Sequence, residues 1–568
     1  MRVFARACRS IGVGIAAVGA GWARAEEPFV DQALARGINY TLGTNFTQYG
    51  AGLAFADLDN DGDPDLILTG ATTGKIAIYE NNGSGTFIDR STGSGIAWST
   101  NMCGVSTADY DGDGLVDIFF TRWLGSTNQL YRNNGNFTFT DVSAAAGVAT
   151  DGAAAASCWG DYNGDGLPDL YVCYRTGEDG STIQNQMFRN NGDGTFTDVA
   201  VSLGVQALNE PTLLATFIDY DNDGDPDLYL GTDKGSNMVL RNHLFRNDGG
   251  TFTEVTDASG TAAHVDCMGI AIGDIDRNGY QDLYLTNVPL GHKLLMANPD
   301  GTFVDQTASA GVEIGQFGWA TLFFDYNNDR ELDLFVCHAN YHNVLFRNPG
   351  GFPFEDVSAV MGFSQSGATY SCAAADVDQD GDLDLAVATS LLRVRLYINQ
   401  EGDNRHWLKL RVVGRGTDTQ AINAQVRATF QGQTQLREVF AGANHRADNE
   451  RTLHFGMGDQ FGDVETIEVR WPNSTVRRVL RGYPMDRTWT LYPPSRLGDA
   501  DGDGVISPME VAEALQIMFA TGGGKIEPGE EIYDMDGDCD VDRHDLASMI
   551  AVARRPAGSG QLGPARGP

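Results

Sequence analysis

One acidic cassette, Asp-x-(Asp/Asn)-x-(Asp/Asn) with a further Asp at its ninth position, is spelled seven times between Asp57 and Asp384. The copies begin at Asp57, Asp109, Asp161, Asp219, Asp274, Asp325 and Asp376, at steps of 52, 52, 58, 55, 51 and 51 residues. A period this steady predicts a repeat architecture, in which each unit buries its apolar face against its neighbours.

The sequence around the cassettes recurs as well. A small-residue strand precedes each, such as Gly269-Ile270-Ala271-Ile272-Gly273, and an apolar strand follows, such as Leu66-Ile67-Leu68. A third strand comes next (Gln129-Leu130-Tyr131-Arg132, Gln186-Met187-Phe188-Arg189, His243-Leu244-Phe245-Arg246, Val344-Leu345-Phe346-Arg347). An Asn/Gly-rich turn then supplies the positive backbone angles of a tight hairpin and leads into a fourth strand, such as Thr195-Phe196-Thr197-Asp198-Val199. Four strands per repeat predict an all-β fold, a seven-bladed β-propeller over residues 26–402. The seventh repeat departs from the pattern at Asn404, before its fourth strand. Phe29-Val30-Asp31-Gln32-Ala33 imitates Phe303-Val304-Asp305-Gln306-Thr307, so the N-terminal segment is expected to complete the seventh blade and remove two exposed sheet edges.

The cassette spacing suits calcium, which takes about six to eight hard oxygen ligands from alternate positions of a curling loop. Four loops offer only carboxylates at positions 1, 3, 5 and 9: Asp57, Asp59, Asp61 and Asp65; Asp109, Asp111, Asp113 and Asp117; Asp219, Asp221, Asp223 and Asp227; Asp376, Asp378, Asp380 and Asp384. The third (Asp161, Asn163, Asp165, Asp169) and fifth (Asp274, Asp276, Asn278, Asp282) each exchange one carboxylate for an amide and should bind less tightly. The sixth (Asp325, Asn327, Asp329, Asp333) has Arg330 where the other six keep Gly. A side chain there is penalised at positive φ and its charge opposes a metal, so this loop is expected to be the weakest.

The formal charge of -37 sits in a chain with 42% hydrophobic and 10% aromatic residues, the composition of a folded protein. Such a charge argues against nucleic acid or anionic membrane surfaces as partners. Arg2, Arg6 and Arg9, an apolar run from Ile11 to Trp22, and Ala23-Arg24-Ala25 match a cleaved signal peptide over residues 1–25, which predicts a secreted, periplasmic or cell-surface protein. Elsewhere no run of about twenty apolar residues predicts a membrane span. Without Cys8 the remaining seven cysteines are an odd number, and Cys173 and Cys337 occupy core strand positions.

From residue 403 to 493 the pattern changes to alternating strands (Trp407-Leu408-Lys409-Leu410-Arg411-Val412, Val426-Arg427-Ala428-Thr429-Phe430, Ile467-Glu468-Val469-Arg470-Trp471), which predicts a small β-sandwich. Residues 494–553 carry two more acidic loops around a helical stretch, Met509 to Phe519, and residues 554–568 are rich in Gly, Pro and Ala, as in a disordered tail. Asp499, Asp501, Asp503, Val505 by its carbonyl, Ser507 and Glu510 fit positions 1, 3, 5, 7, 9 and 12 of an EF-hand loop, with Gly504 at position 6. Asp534, Asp536, Asp538, Asp540, Asp542 and Asp545 repeat the spacing, with Cys539 in the glycine position.

On these motifs the repeats over residues 27 to 402 resemble the FG-GAP or VCBS repeats of integrin-type propellers. The next region, with Arg451-Thr452-Leu453-His454-Phe455-Gly456-Met457-Gly458 and Val469-Arg470-Trp471-Pro472, resembles the ASPIC/UnbV domain, and the pairing is the arrangement of the CRTAC-like family. Ala421-Ile422-Asn423-Ala424 departs from that family's Gly-rich turn. The last segment is similar to a dockerin, which docks onto cohesins, although Glu510 stands where dockerins use Asp. The resemblances imply an exported, calcium-dependent adhesion or assembly protein, with a cohesin-like partner for the C-terminal module, and no established reaction.

The face of such a propeller opposite the cassettes carries the connections where partners bind. Arg122, Trp123, Arg175, His264, Asp266, His292, His338 and His342 fall there by position. No spacing among them is specific to zinc, and the chain contains no nucleophile elbow or phosphate loop. The first expectation is therefore a calcium-binding scaffold for an extracellular protein or glycan. Two alternatives stay open, a polysaccharide-active lyase or lectin with Arg122, Arg175 and His264 in one pocket, and a redox or metal protein using the histidines.

Overall fold

The computed structural model describes residues 28–553 except 44–50, 72, 100–101, 124–126, 176–182, 235–239, 289–290, 365–366, 390–391, 403, 415–417, 443, 495–496, 499–505, 522–524, 527 and 529. Among these the chain is mostly β, and seven sheets lie between Val30 and Ile398. Five of them are sets of four sequence neighbours, and the first and seventh each add a strand from elsewhere in the chain. In the third, Ala154–Gly160, Asp169–Tyr174, Gln186–Asn190 and Phe196–Asp198 pair antiparallel in that order. The cassette joins first strand to second, Gly160 facing Asp169, and the ninth cassette residue opens the second strand in every sheet.

Burial grades across each sheet. Ala154–Gly160 and Asp169–Tyr174 are buried throughout, whereas Thr197 and Asp198 of the fourth strand are exposed. The first strand is therefore innermost and the fourth lies at the rim. After four of the fourth strands the chain makes a single helical turn, Ser143–Ala146, Ala200–Leu203, Thr256–Ser259 and Thr307–Ala310, each stopped by a glycine with φ between 70 and 80°. Only glycine enters that left-handed region without strain.

The strand Val30–Asp31 pairs antiparallel with Arg395–Ile398, Val30 opposite Ile398, and is the fourth strand of the sheet built on Thr369–Ala375 and Asp384–Thr389. That sheet and the first share one apolar core, with Ala373, Ala375 and Val377 packed with Leu53, Phe55 and Leu66.

Beyond the repeats, Leu453–Gly458, His406–Val412 and Thr488–Leu491 form one sheet, and Gln433–Glu438, Gln425–Phe430, Thr466–Arg470 and Arg477–Leu480 another. Leu408, Leu410, Val426, Phe455, Ile467, Trp471 and Trp489 are buried together in the core of this second domain. The helices Pro508–Thr521 and Arg543–Ala553 add Ala514 and Met549 to the same core. The C-terminal module is thus packed on the second domain, and Tyr483 OH donates to Asp534 Oδ2 at 2.7 Å across the junction.

One segment of the second domain leaves it altogether. Ala447–Asp448 pairs in parallel with the edge of Leu53–Ala56. Trp159 N donates to Ala441 O at 3.0 Å, Asn444 Nδ2 to Cys372 O at 2.8 Å, Thr321 N to Asn444 Oδ1 at 3.3 Å, and Thr107 Oγ1 to Asp448 Oδ2 at 2.8 Å. The segment therefore touches the innermost strands of the first, second, third, sixth and seventh sheets, and polar side chains that would be costly to bury alone satisfy one another there.

Candidate metal centres

Two bends shape every cassette. The fourth residue has φ between 57 and 74° (Asn60, Gly112, Gly164, Asn222, Arg277, Asn328, Gln379) and the sixth between 82 and 109° (Gly62, Gly114, Gly166, Gly224, Gly279, Arg330, Gly381). These turns bring alternate side chains to one side. Carboxylate oxygens of Asp57, Asp59 and Asp61 lie within 4.8 Å of one another, as do those of Asp109, Asp111 and Asp117, of Asp219, Asp221 and Asp227, of Asp274, Asp276 and Asp282, and of Asp376, Asp378 and Asp384. The third and sixth loops take the same course: Asp161 Oδ2 accepts Gly166 N at 2.9 Å and Asp325 Oδ2 accepts Arg330 N at 2.8 Å.

The carboxylates are incompletely satisfied by protein. Asp59 Oδ1, Asp169 Oδ2, Asp219 Oδ1, Asp274 Oδ1, Asp376 Oδ1 and Asp378 Oδ1 are buried acceptors without a hydrogen-bond donor. Buried acceptors of this kind carry the full desolvation cost unless something positive meets them. Burial, followed by the neighbouring Asp61 and Asp57, pushes Asp59 up to about 6; burial pushes Asp65 up to about 9 and Asp274 to about 7. A hard divalent cation would supply the missing charge, and the oxygen-only donor set fits calcium.

The ninth aspartate also holds the sheet. Asp65 Oδ2 accepts Leu58 N at 2.9 Å and Oδ1 accepts Asn81 N at 2.8 Å, so one carboxylate ties the loop to the end of the third strand. Asp117, Asp227, Asp282, Asp333 and Asp384 repeat the pair of contacts. The asparagine ending the third strand extends the link to the preceding unit. Asn133 Nδ2 donates to Leu58 O in the first cassette at 2.8 Å, Asn190 to Tyr110 O in the second, Asn247 to Tyr162 O in the third, and Asn81 to Val377 O in the seventh. Sequence reasoning took these asparagines for turn residues. Their signal was the Asn closing the third strand in six repeats, with Ala297 the exception.

Basic side chains reach several candidate ligands. Arg132 lies 2.7 Å from Asp111 Oδ2 and 2.9 Å from Asp113 Oδ2, and Arg36, from the N-terminal segment, 2.8 Å from Asp378 Oδ2. The second domain covers the same loops. Lys409 Nζ is 3.0 Å from Asp376 Oδ2, Thr419 Oγ1 2.6 Å from Asp109 Oδ2, and Arg411 3.6 Å from Asp57 Oδ2. Arg470 is ion-paired with Asp219 Oδ2, and Asn473 Nδ2 donates to Asp161 O at 2.8 Å. Burial opposes the charge on Lys409, but Glu450 and Asp376 outweigh it and raise its pKa.

Arg330 keeps the left-handed angle, φ 82°, and turns its side chain out of the sixth loop. Nε donates to Met457 O at 2.8 Å, Nη2 to Gln431 Oε1 at 3.0 Å, and the guanidinium carbon sits 5.0 Å from the Phe430 ring centre. Its charge is thus drawn toward the second domain, a destination local sequence could not show.

In the C-terminal module, Asp499, Asp501, Asp503 and Val505 lie outside the described residues. Ser507 N donates to Glu510 Oε2 at 2.6 Å. In the second loop Asp534 Oδ1 accepts Gly537 N at 2.6 Å, Asp545 Oδ1 accepts Met535 N at 2.7 Å and Oδ2 accepts Asp542 N at 2.8 Å, and Cys539 has φ 69°. Burial pushes Asp536, Asp540 and Asp545 each up to about 6, with Asp538 beside the first two.

Of the residues singled out on the opposite side, His292 and His338 come together, their rings stacked with centres 5.8 Å apart, whereas Arg122, Arg175 and His264 have separate partners. Arg122 bonds Ser99, Arg175 pairs with Asp233, and His264 Nδ1 donates to Leu240 O at 2.8 Å. His292 has Tyr284 OH 2.8 Å from Nδ1 and Gln316 O 3.3 Å from Nε2, which commits both ring nitrogens, while His338 Nδ1 donates to His342 O at 3.1 Å. Basic and aromatic groups do meet, through the second domain: Arg446 lies 5.6 Å from the Trp123 ring centre and His445 5.2 Å from that of Trp319.

The FG-GAP-like repeat family matches residues 57–120, 109–172, 174–230, 219–285 and 325–387, together just over half of the chain. The ASPIC and UnbV family matches residues 414–497. Cartilage acidic protein 1 of Mus musculus is 24% identical over 479 residues, covering 76% of this chain and 71% of that protein. The Homo sapiens protein of that name is 24% identical over 499 residues, covering 79% and 73%. Among solved structures, BBS1N in its complex with ARL6DN aligns with a TM-score of 0.42 and 10% identity, over 66% of this chain and 97% of that one. The chain belongs to the FG-GAP-like repeat family and carries an ASPIC and UnbV domain behind its repeats.

Proposed function

We propose that the chain is an exported calcium-binding scaffold, a propeller whose seven sheets are its blades, which presents the face opposite the cassettes to an extracellular protein or glycan. The observation that carries this reading is the set of buried carboxylate oxygens left without donors inside the cassettes. Calcium would sit among the aspartates at positions 1, 3, 5 and 9 and supply positive charge; the protein supplies the loop shape and the hydrogen bonds that hold the aspartates in place.

The C-terminal module, read as an EF-hand pair similar to a dockerin, would add calcium at Asp534, Asp536, Asp538, Asp540 and Asp545, and its partner would be a cohesin-like domain. No helix among the described residues is long and apolar enough to cross a membrane, in keeping with a chain that acts outside one. The test is a glycan-array and pull-down screen of the protein in calcium and after chelation. Capture that requires calcium supports the scaffold reading, and the absence of any calcium-dependent partner counts against it.

A further inference from the structure

The second domain lies on the cassette side of the repeats, and among its contacts are several with the first residue of a loop. In the seventh cassette Asp376 Oδ2 receives Lys409 Nζ at 3.0 Å, while Oδ1 of the same carboxylate is buried without a donor. In the fourth, Asp219 Oδ2 pairs with Arg470 and Oδ1 is likewise buried without a donor. Each carboxylate therefore has one oxygen on a cation of the second domain, which in Asp376 also accepts Gly381 N of its own cassette at 3.2 Å, and a second, buried oxygen that no donor meets. Asp378 and Asp384, or Asp221 and Asp227, present further carboxylate oxygens within 4.8 Å.

We propose that the cassette face is a calcium-dependent docking surface for the second domain, with Asp376 and Asp219 bridging between a metal ion and the cations Lys409 and Arg470. The inference rests on calcium occupying the cassettes and adds what that occupancy controls. The charge balance favours joint occupancy. Around the seventh loop the six carboxylates of Asp376, Asp378, Asp380, Asp382, Asp384 and Glu450 outnumber the two cations Lys409 and Arg36, so adding a divalent cation still leaves a negative site that holds the lysine.

Without the ion, those carboxylates stand together in a low-dielectric site and repel one another, which favours opening to water and weakens their hold on Lys409 and Arg470. Two other first-position aspartates also meet the second domain, Asp57 with Arg411 at 3.6 Å and Asp109 with the Thr419 hydroxyl at 2.6 Å. The segment around Ala447–Asp448 extends the coupling to the innermost strands. Asp376 N donates to Glu450 Oε2 at 3.1 Å, two residues beyond the strand Ala447–Asp448 that pairs with Leu53–Ala54.

The test is hydrogen–deuterium exchange on the full mature chain, first in millimolar calcium and then in EGTA, after elemental analysis has counted bound calcium. Peptides covering His406–Val412, Thr466–Arg470 and Ala447–Asp448 should lose protection about tenfold or more on chelation, together with the cassettes. Lys409→Met in calcium should deprotect His406–Val412 while leaving the first three cassettes protected. Cassettes that open on chelation while the second-domain peptides keep their protection would overturn the proposal. A chain with no bound calcium before chelation would overturn the occupancy reading beneath it, and the docking proposal with it.

Discussion

Lys409 and Asp376 are buried against each other, Nζ 3.0 Å from Oδ2, although 33 residues and a domain boundary separate them in the chain. Removing one member of such a pair strands a charge in a low-dielectric site. Lys409→Met is expected to cost about 3 kcal/mol of unfolding free energy. In EGTA, where Asp376 has no ion to bind, the double variant Lys409→Met with Asp376→Asn should recover most of that loss. Denaturant titration at neutral pH measures both, and a single-variant loss below about 1 kcal/mol would show that water shares the pair.

Asp111 serves the second cassette both as a candidate ligand and as a partner of Arg132, 2.7 Å away. Its pairing with Arg132 is partly exposed and worth little by itself. Asp111→Ala is therefore expected to lower the melting temperature in calcium and to leave the chelated protein nearly unchanged. Equal losses in both conditions would assign the residue a turn-forming role alone.

Arg330 occupies a left-handed position, φ 82°, that glycine fills in the other six loops. Arg330→Ala keeps the strain and loses the contacts with Met457, Gln431 and Phe430, whereas Arg330→Gly loses the same contacts and relieves the strain. The glycine variant should be the more stable of the two by about 1 kcal/mol in thermal unfolding. Equal stabilities would place the strain elsewhere in the loop.

Burial lowers the pKa of His292 to about 4, and burial followed by His292 itself lowers that of His338 to about 3. Above the ordinary histidine pKa both states are neutral and stability is complete. As pH falls below it the unfolded chain takes up protons that the folded chain refuses, so stability declines toward the folded values. For His292 the loss by pH near 4 is about 3 kcal/mol. His292→Gln should flatten the acid limb of the stability profile by that amount, and an unchanged limb would show that the ring charges in place.

The repeat was legible because one short constraint recurs seven times: the aspartates at 57, 109, 161, 219, 274, 325 and 376 set the period, and the strands on either side are continuous small or apolar runs, as burial on both faces requires. The resemblance of residues 403–493 to an ASPIC/UnbV domain rested on local motifs such as Val469-Arg470-Trp471-Pro472, and the family match covers them. Contacts across hundreds of residues were not legible. Nothing near Arg470 announces Asp219, and nothing near Ala441 announces Trp159. The asparagines closing the third strands were visible and misread, because a turn-forming Asn and one that bonds a neighbouring loop have the same local sequence. The exit of Arg330 from its loop likewise depends on Met457 and Gln431, which only the fold brings near.

Calcium content measured together with stability tests the central claim most directly. The purified mature chain, dialysed against trace calcium and assayed by elemental mass spectrometry alongside thermal unfolding with and without EGTA, should carry several calcium ions per molecule. Chelation should lower its melting temperature by well over ten degrees, since each ion lost adds its binding free energy to the cost. A chain free of calcium, with the same melting temperature in EGTA, would contradict the account.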